Sequence, residues 1–287
     1  MRIGIGVPAT VPGASGAAIL EWAGRAERGP FSSLGIIDRI IYGNYEPLVT
    51  LAVAAGATQR IRLMTTVLLA PTRDTALLAK QAASVDALSG GRLTLGLGVG
   101  GRQDDFAATG ASFHTRGQRF EQQLATLKRV WSGEPFAEDI GPIGPPPGRA
   151  GGPELLVGGY TPKAVGRVAR WADGFISGGT DARTARTLYH LADEAWKAEG
   201  RPGSPRFVAA AYWALGPHAR EGVASAIGSY YAFMGPRVEN MISSIAATPE
   251  AVKSTIQSFA DVGVDELILW PCIAEPDQVD RLAELVR

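Results

Sequence analysis

Short apolar runs of strand length recur along the chain, at residues 2–7, 33–38, 61–69, 92–98, 154–158, 174–177, 206–215 and 265–270. They are apolar throughout rather than alternating, the pattern of parallel strands covered on both faces. Between most of them the apolar positions change to helical spacing. Residues 74–89 put Leu78, Ala82 and Val85 on one face, with Asp74 as N-cap and Gly90-Gly91 as the stop. Phe120, Leu124, Leu127 and Trp131 follow an i, i+4, i+7, i+11 rule, and Gly133 ends that helix. Thr248-Pro249-Glu250 combines a cap, a proline at the first helical position and an acid in the first turn. Val252, Ile256 and Phe259 then face inward until Gly263. Eight strands alternating with helices predict an α/β fold, a single (β/α)8 TIM barrel over residues 1–287, with an open doubly wound sheet as the competing architecture. Two stretches break the rhythm. The Pro/Gly-rich residues 134–153 read as an excursion before strand five, and residues 216–248 as an elaboration between strands seven and eight.

Composition narrows the partners. The 28 acidic and 28 basic residues cancel, so nothing electrostatic favours nucleic acid or an anionic membrane. Cys272 is the only cysteine, which excludes an intrachain disulfide and fits a reducing compartment. Neither a signal-like apolar segment nor a membrane-length run is present. The expectation is a soluble, cytoplasmic protein acting on a small molecule.

Residues 92–101, RLTLGLGVGG, contain a formal G-x-G-x-x-G at Gly96, Gly98 and Gly101. A dinucleotide fingerprint belongs after the first strand and at the opening of a helix, with an acid closing the next strand. Here two strand–helix units come first, Arg102-Gln103-Asp104-Asp105 follows, and Glu121, the carboxylate near the required spacing, lies in a helical pattern. A glycine-rich strand end instead lets something flat or phosphorylated approach the backbone.

In barrels of this kind the chemistry sits at the C-terminal strand ends. A Schiff-base enzyme needs a lysine there, but Lys80, Lys128, Lys163, Lys197 and Lys253 all fall in helical patterns. His114, His190 and His218 are scattered without metal-ligand spacing, so no metal site is expected. Paired carboxylates for glycoside hydrolysis are missing from the strand ends. A barrel without reactive groups of its own points to a cofactor that carries the reaction.

Four segments, SSLGIIDR (32–39), ATQRIRLMTTVLLAPTRDTALLAKQAASVDALSGGRLTLGLGVGG (57–101), FHTRGQRFEQQLATLKRVWSG (113–133) and GGYTPKAVGRVARWADGFISGG (158–179), occur in an order and spacing by which the chain resembles the luciferase-like monooxygenase superfamily. Those proteins are (β/α)8 flavin- and F420-dependent oxidoreductases, and the likeness covers nearly the whole chain. The resemblance implies a reduced flavin-type cofactor, F420 or FMN, across the barrel mouth. It implies a bulge with a non-prolyl cis peptide at the end of strand three, near Thr66-Val67. The cofactor phosphate would lie against Gly158-Gly159-Tyr160-Thr161, where free N–H groups and a helix N-terminus favour an anion. Gly98, Gly100 and Gly101 would give close access from the neighbouring strand.

Asp38 matches the acidic residue that such proteins place near the flavin, with a loop or helix cap as its ordinary alternative. Relatives often carry a catalytic histidine next to it, where this chain has Arg39. An arginine is no general acid or base near neutral pH, but it can stabilise an anionic ring or substrate. A glutamate found after strand four in relatives is replaced by Gly101. A phosphate-binding arginine of the flavin enzymes falls at Val99, with Arg102 as the nearest substitute. Asp38 and Arg39 are therefore the catalytic candidates. The compact length and the absent arginine favour F420, while the absent histidine and glutamate disfavour it, so both cofactors stay open. Tyr42, Glu46, His114, Tyr212, Trp213 and Trp270 are further pocket candidates or packing residues, and Arg116 reads as structural. The resemblance also implies a homodimer. The rival reading is a non-catalytic barrel subunit of a heterodimeric luciferase-like complex.

Overall fold

The computed structural model describes residues 1–287. Eight parallel strands close into a barrel in chain order, with the first paired to the last through Arg2–Glu266 to Ile5–Leu269. The first half comprises β1 (Arg2–Gly6), α1 (Gly16–Arg28), β2 (Ser33–Ile36), α2 (Pro47–Ala57), β3 (Arg62–Leu69), α3 (Thr75–Leu88), β4 (Leu93–Gly98), α4 (Gln103–Thr109) and α5 (Arg116–Trp131). The second comprises β5 (Glu154–Gly158), α6 (Pro162–Val165), α7 (Arg167–Trp171), β6 (Gly174–Gly178), α8 (Ala182–Ala198) and β7 (Arg206–Trp213). It continues through α9 (Ala219–Tyr230), α10 (Arg237–Ser244), α11 (Pro249–Asp261), β8 (Glu266–Pro271) and α12 (Asp277–Val286). The closed barrel disposes of the open-sheet alternative.

Strand placement follows the apolar runs because each strand is covered on both faces. β2, β4 and β8 are buried at every position. The caps act where their side chains suggest. Asp74 accepts from Leu77 N–H at 2.9 Å and Thr248 from Ala251 N–H at 3.2 Å. Each satisfies one of the amides that a helix N-terminus leaves open. The excursion 134–153 has no helix. It is held to the barrel where Arg149 N–H donates to Asp86 at 3.2 Å and Gly152 packs on the Trp131 ring.

The floor of the barrel is ionic. Arg206 lies between Glu154, at 2.5 Å, and Glu266, which is fully buried. Glu266 also accepts from Ser33 Oγ at 2.7 Å and from Ser32 Oγ, and Glu154 accepts from Thr94 Oγ1 at 2.7 Å. Burial pushes the Glu154 carboxyl upward, but Arg206, Thr94 and Arg62 outweigh it and hold the group below its ordinary range. This end carries stability and leaves the opposite, C-terminal mouth for chemistry.

Candidate functional site

The mouth encloses a cavity of about 610 Å³. Its walls are the ends of β2 to β8, joined by residues from the start of α5 and the end of α9. The glycine run of β4 explains itself here. A side chain at Gly96 would collide with the Thr65 carbonyl oxygen, and one at Gly98 would sit 2.7 Å from Val67 Cγ2. The register between β3 and β4 shifts between Thr65 and Leu68, pushing this part of β3 toward its neighbour. The peptide between Thr66 and Val67 is cis, at the position the resemblance implied. Gly101 differs from these tightly packed glycines, since a side chain there would meet nothing within 4 Å.

Ten of the twelve expected site residues line this cavity: Asp38, Thr66, Val67, Gly98, Gly100, Gly101, Gly158, Gly159, Tyr160 and Thr161. Arg39 and Arg102, the other two, are not among its lining residues. Arg39 is buried and donates from Nε to Asp105 at 2.8 Å and from Nη2 to the Ile41 carbonyl at 3.0 Å. Asp105 in turn accepts from the N–H groups of Ile40 and Ile41. The guanidinium faces the Tyr230 ring at 5.7 Å and the Tyr42 ring at 6.0 Å. Arg102 pairs with Asp104 at 3.1 Å and lies 4.1 Å over Phe233. An acidic pair in the first turn of α4, an element that residues 102–105 did not announce, draws both arginines away from the mouth.

Asp38 borders the cavity but is fully engaged. It accepts from Leu69 N–H at 2.8 Å and from Arg73 at 2.6 and 3.1 Å, and Arg73 also pairs with Glu46 at 3.0 Å. Burial pushes the Asp38 carboxyl up, and Arg73 and the Leu69 amide pull against it. Its geometry fixes the β2 and β3 ends to each other, in the manner of a cap. Of the secondary candidates, His114, Tyr212 and Trp270 line the cavity. Tyr42, Glu46 and Trp213 do not. Trp213 is fully buried and donates to the Leu269 carbonyl at 3.0 Å, and Glu46 caps α2 through Val49 N–H at 2.7 Å.

Several residues that frame the cavity had gone unremarked or were set aside. Arg116, read as structural, lines it and donates only to carbonyls, those of Gly100 at 3.2 Å and Phe113 at 2.7 Å. Lys163 lines the same side, and neither cation has a carboxylate partner. Arg167, also there, is neutralised by Glu121 at 3.0 Å. Thr161 caps α6 by accepting from Ala164 N–H at 3.3 Å, but α6 has only four residues and contributes little dipole. The attraction for an anion at this edge comes mainly from Arg116 and Lys163. Across the mouth, Tyr230 and Tyr231 enter from the end of α9 beside Tyr212 and Trp270. Trp270 Nε1 donates to Thr66 Oγ1 at 3.0 Å, and Thr66 donates to the Ile36 carbonyl at 3.0 Å. The cavity thus has a small-residue, cationic side and an aromatic side.

Comparison with known proteins bears on the family and the fold. The profile of the family described as luciferase-like monooxygenase matches residues 1–287. An uncharacterized protein of Mycobacterium tuberculosis is 33% identical over 171 residues, covering 57% of this chain and 60% of the relative. The matched region spans about 60% of the length of such relatives. Among solved structures, an F420-dependent secondary alcohol dehydrogenase in complex with an F420–acetone adduct superposes with a TM-score of 0.81 at 18% identity, covering 99% of this chain and 98% of that one. The FMN complex of the oxygenating constituent of 3,6-diketocamphane monooxygenase from Pseudomonas putida superposes with a TM-score of 0.76 at 18% identity, covering 100% and 96%. These structures share the fold. With the family profile matched from end to end and the barrel closed as that fold requires, the chain belongs to the luciferase-like monooxygenase family.

Proposed function

We propose that the protein is an oxidoreductase that binds a reduced flavin-type cofactor, F420 or FMN, in the barrel mouth and uses it on a small organic molecule. One observation carries the reading: a glycine-lined strand-end wall stands beside two cations, Arg116 and Lys163, that no carboxylate neutralises. A flat ring needs backbone without protruding side chains, and Gly101 and Gly158 border such a surface. A phosphate needs uncompensated positive charge and donors, which Arg116, Lys163 and Thr161 would supply. The residues present therefore fit the group. When bound, the cofactor would supply hydride transfer as reduced F420 or oxygen activation as reduced FMN.

The chain's own part is to hold and to exclude. Trp270, Tyr212, Tyr230 and Tyr231 make the side facing the glycine wall mostly apolar, which limits water around the reacting groups. Asp38, tied to Arg73, holds two strand ends in register rather than moving a proton. That engagement of the strand-end carboxylate also suits the rival reading of a non-catalytic subunit. One titration separates the two. The protein is titrated with F420 and with FMN, oxidised and reduced, following fluorescence quenching. Tight binding of F420 supports hydride transfer, preference for reduced FMN supports oxygen activation, and binding of neither overturns the enzyme reading.

We also read the outer face of α2 as a contact between two copies of the chain. This helix is apolar nearly all round, exposing Val49 by 60% and Val53 by 50%, and Leu77 of α3 is 54% exposed. A helix without a polar face is ordinarily covered. Light scattering of Val53→Glu against the wild type tests this, with a dimer expected to become a monomer. No helix is long and apolar enough to cross a membrane.

A further inference from the structure

We propose that Tyr212 and Tyr231 together donate a hydrogen bond to an oxygen of the organic substrate, which assigns that substrate to molecules carrying a carbonyl-type oxygen. The inference deepens the proposed function and rests on reading the cavity as the place where ring and substrate meet.

The argument is a count of protons. The hydroxyl oxygens of Tyr212 and Tyr231 are 3.2 Å apart and bonded to each other, and neither makes a further hydrogen bond within the protein. Each phenol carries one proton and their mutual bond uses one, so one O–H is left without an acceptor. Both side chains line the cavity. Of the other hydroxyls at the mouth, those of Thr161 and Tyr230 donate to no protein acceptor, Thr161 at the cationic edge and Tyr230 without a hydroxyl partner, whereas two are committed. Thr66 donates to the Ile36 carbonyl at 3.0 Å, and Tyr160 donates to the Gly178 carbonyl at 2.6 Å.

The surroundings make the free proton consequential. Tyr212 packs on Trp270 with ring centroids 4.9 Å apart, and Tyr231 meets Tyr230 edge-on at 4.8 Å. An O–H in such an apolar wall is costly unless water or a ligand accepts it, and a ligand that displaces the water must take over the bond. Burial pushes the Tyr231 hydroxyl up to about 12 and raises Tyr212 well above the ordinary phenol value, so both stay neutral donors near neutral pH. Asp38, the carboxylate bordering the cavity, is held by Arg73 and by Leu69 N–H. What the pair lacks is a neutral acceptor oxygen, and a carbonyl supplies one.

The test compares acetophenone with α-methylstyrene, which replaces C=O by C=CH2 at nearly constant shape. Ligand-observed NMR gives both affinities for the wild type and for the Tyr212→Phe/Tyr231→Phe double variant. Uniform 3-fluorotyrosine labelling reports on the two rings, assigned through the single variants. The wild type should favour the ketone by about tenfold, the worth of one hydrogen bond. The Tyr212 and Tyr231 fluorine signals should move with the ketone and stay still with the alkene, and the preference should vanish in the double variant. Equal affinities in the wild type, or a preference that survives in a folded double variant, overturns the assignment. Cofactor titration of the same samples reports on the ring-site reading separately. A wild type that binds a cofactor yet shows no ketone preference overturns the tyrosine assignment alone.

Discussion

Replacing Arg206 by Met removes the cation at the barrel floor while keeping most of its aliphatic bulk. Glu266 would retain the Ser32 and Ser33 hydroxyls and the largely exposed Arg2 at 3.8 Å. Glu154 would retain Thr94 at 2.7 Å and Arg62 at 3.3 Å. Removing one partner of a buried pair costs about 3–5 kcal/mol, and these remaining donors place the cost near the lower end, about 3 kcal/mol. With an unfolding entropy of roughly 2.1 cal/mol/K per residue, a chain of this length loses about 0.6 kcal/mol per degree, so Tm should fall by about 5 °C at pH 7. The pH dependence gives a second readout. In the wild type the Glu154 carboxyl is held low by Arg206, so its contribution is complete at neutral pH and disappears as pH falls through its folded value. In the variant the Glu154 carboxyl is buried without Arg206 and its pKa rises, so the folded form takes up a proton and regains stability in acid. Differential scanning calorimetry should therefore find the gap between wild type and variant smaller at pH 5 than at pH 7. An unchanged Tm at pH 7, or a gap that widens in acid, would refute the account of the floor as a charge-compensated plug.

Three further outcomes follow from the mouth. Gly101→Leu should leave Tm within about 1 °C, because a Cβ there meets no protein atom within 4 Å and the side chain starts into open space, yet weaken cofactor binding at least tenfold by occupying the ring space; retained binding would show that nothing flat lies there. Arg116→Met should raise the Kd for a phosphate-bearing cofactor by about 10- to 150-fold, the range of a charge-assisted hydrogen bond, and flatten its salt dependence in fluorescence titrations. Arg39→Met should cost about 3 kcal/mol of stability by leaving buried Asp105 without its guanidinium, with cofactor affinity changed less than threefold; loss of binding at unchanged Tm would restore Arg39 to the site.

The barrel was legible because its strands are apolar on both faces and its helices carry caps such as Asp74 and Thr248, which are local signals. The glycine and Gly158–Thr161 segments were legible too, since a backbone left bare at a strand end has few uses. Arg39 and Arg102 lie off the lining because Asp104 and Asp105 compete for them, a pairing fixed by where α4 lands rather than by spacing. Tyr230 and Tyr231 were overlooked for a related reason. They sit in an irregular elaboration whose path over the mouth depends on tertiary contacts such as Arg102 with Phe233, and no periodicity marks them. Arg116 follows the start-of-helix pattern of a structural residue, and only the absence of a nearby carboxylate distinguishes it.

The roof formed by residues 216–248 has a consequence for how such a protein can change over generations. The wall opposite it tolerates little alteration, because Gly96 and Gly98 are wedged against β3 and any added atom must displace backbone or Val67. The roof is different: it carries Tyr230 and Tyr231 inward while Phe233 and the turn beyond it face solvent, and α10 has no fully buried residue. Mutations along α10 and in the turn before it alter what the cavity admits at small cost to folding, while Val223 and Ile227 of α9 are buried and anchor the segment. New substrate preferences can thus accumulate in one exchangeable segment while the barrel beneath stays as it is. Transplanting 216–248 between relatives would be an economical way to alter selectivity in the laboratory, provided the Arg102–Phe233 contact is carried with it.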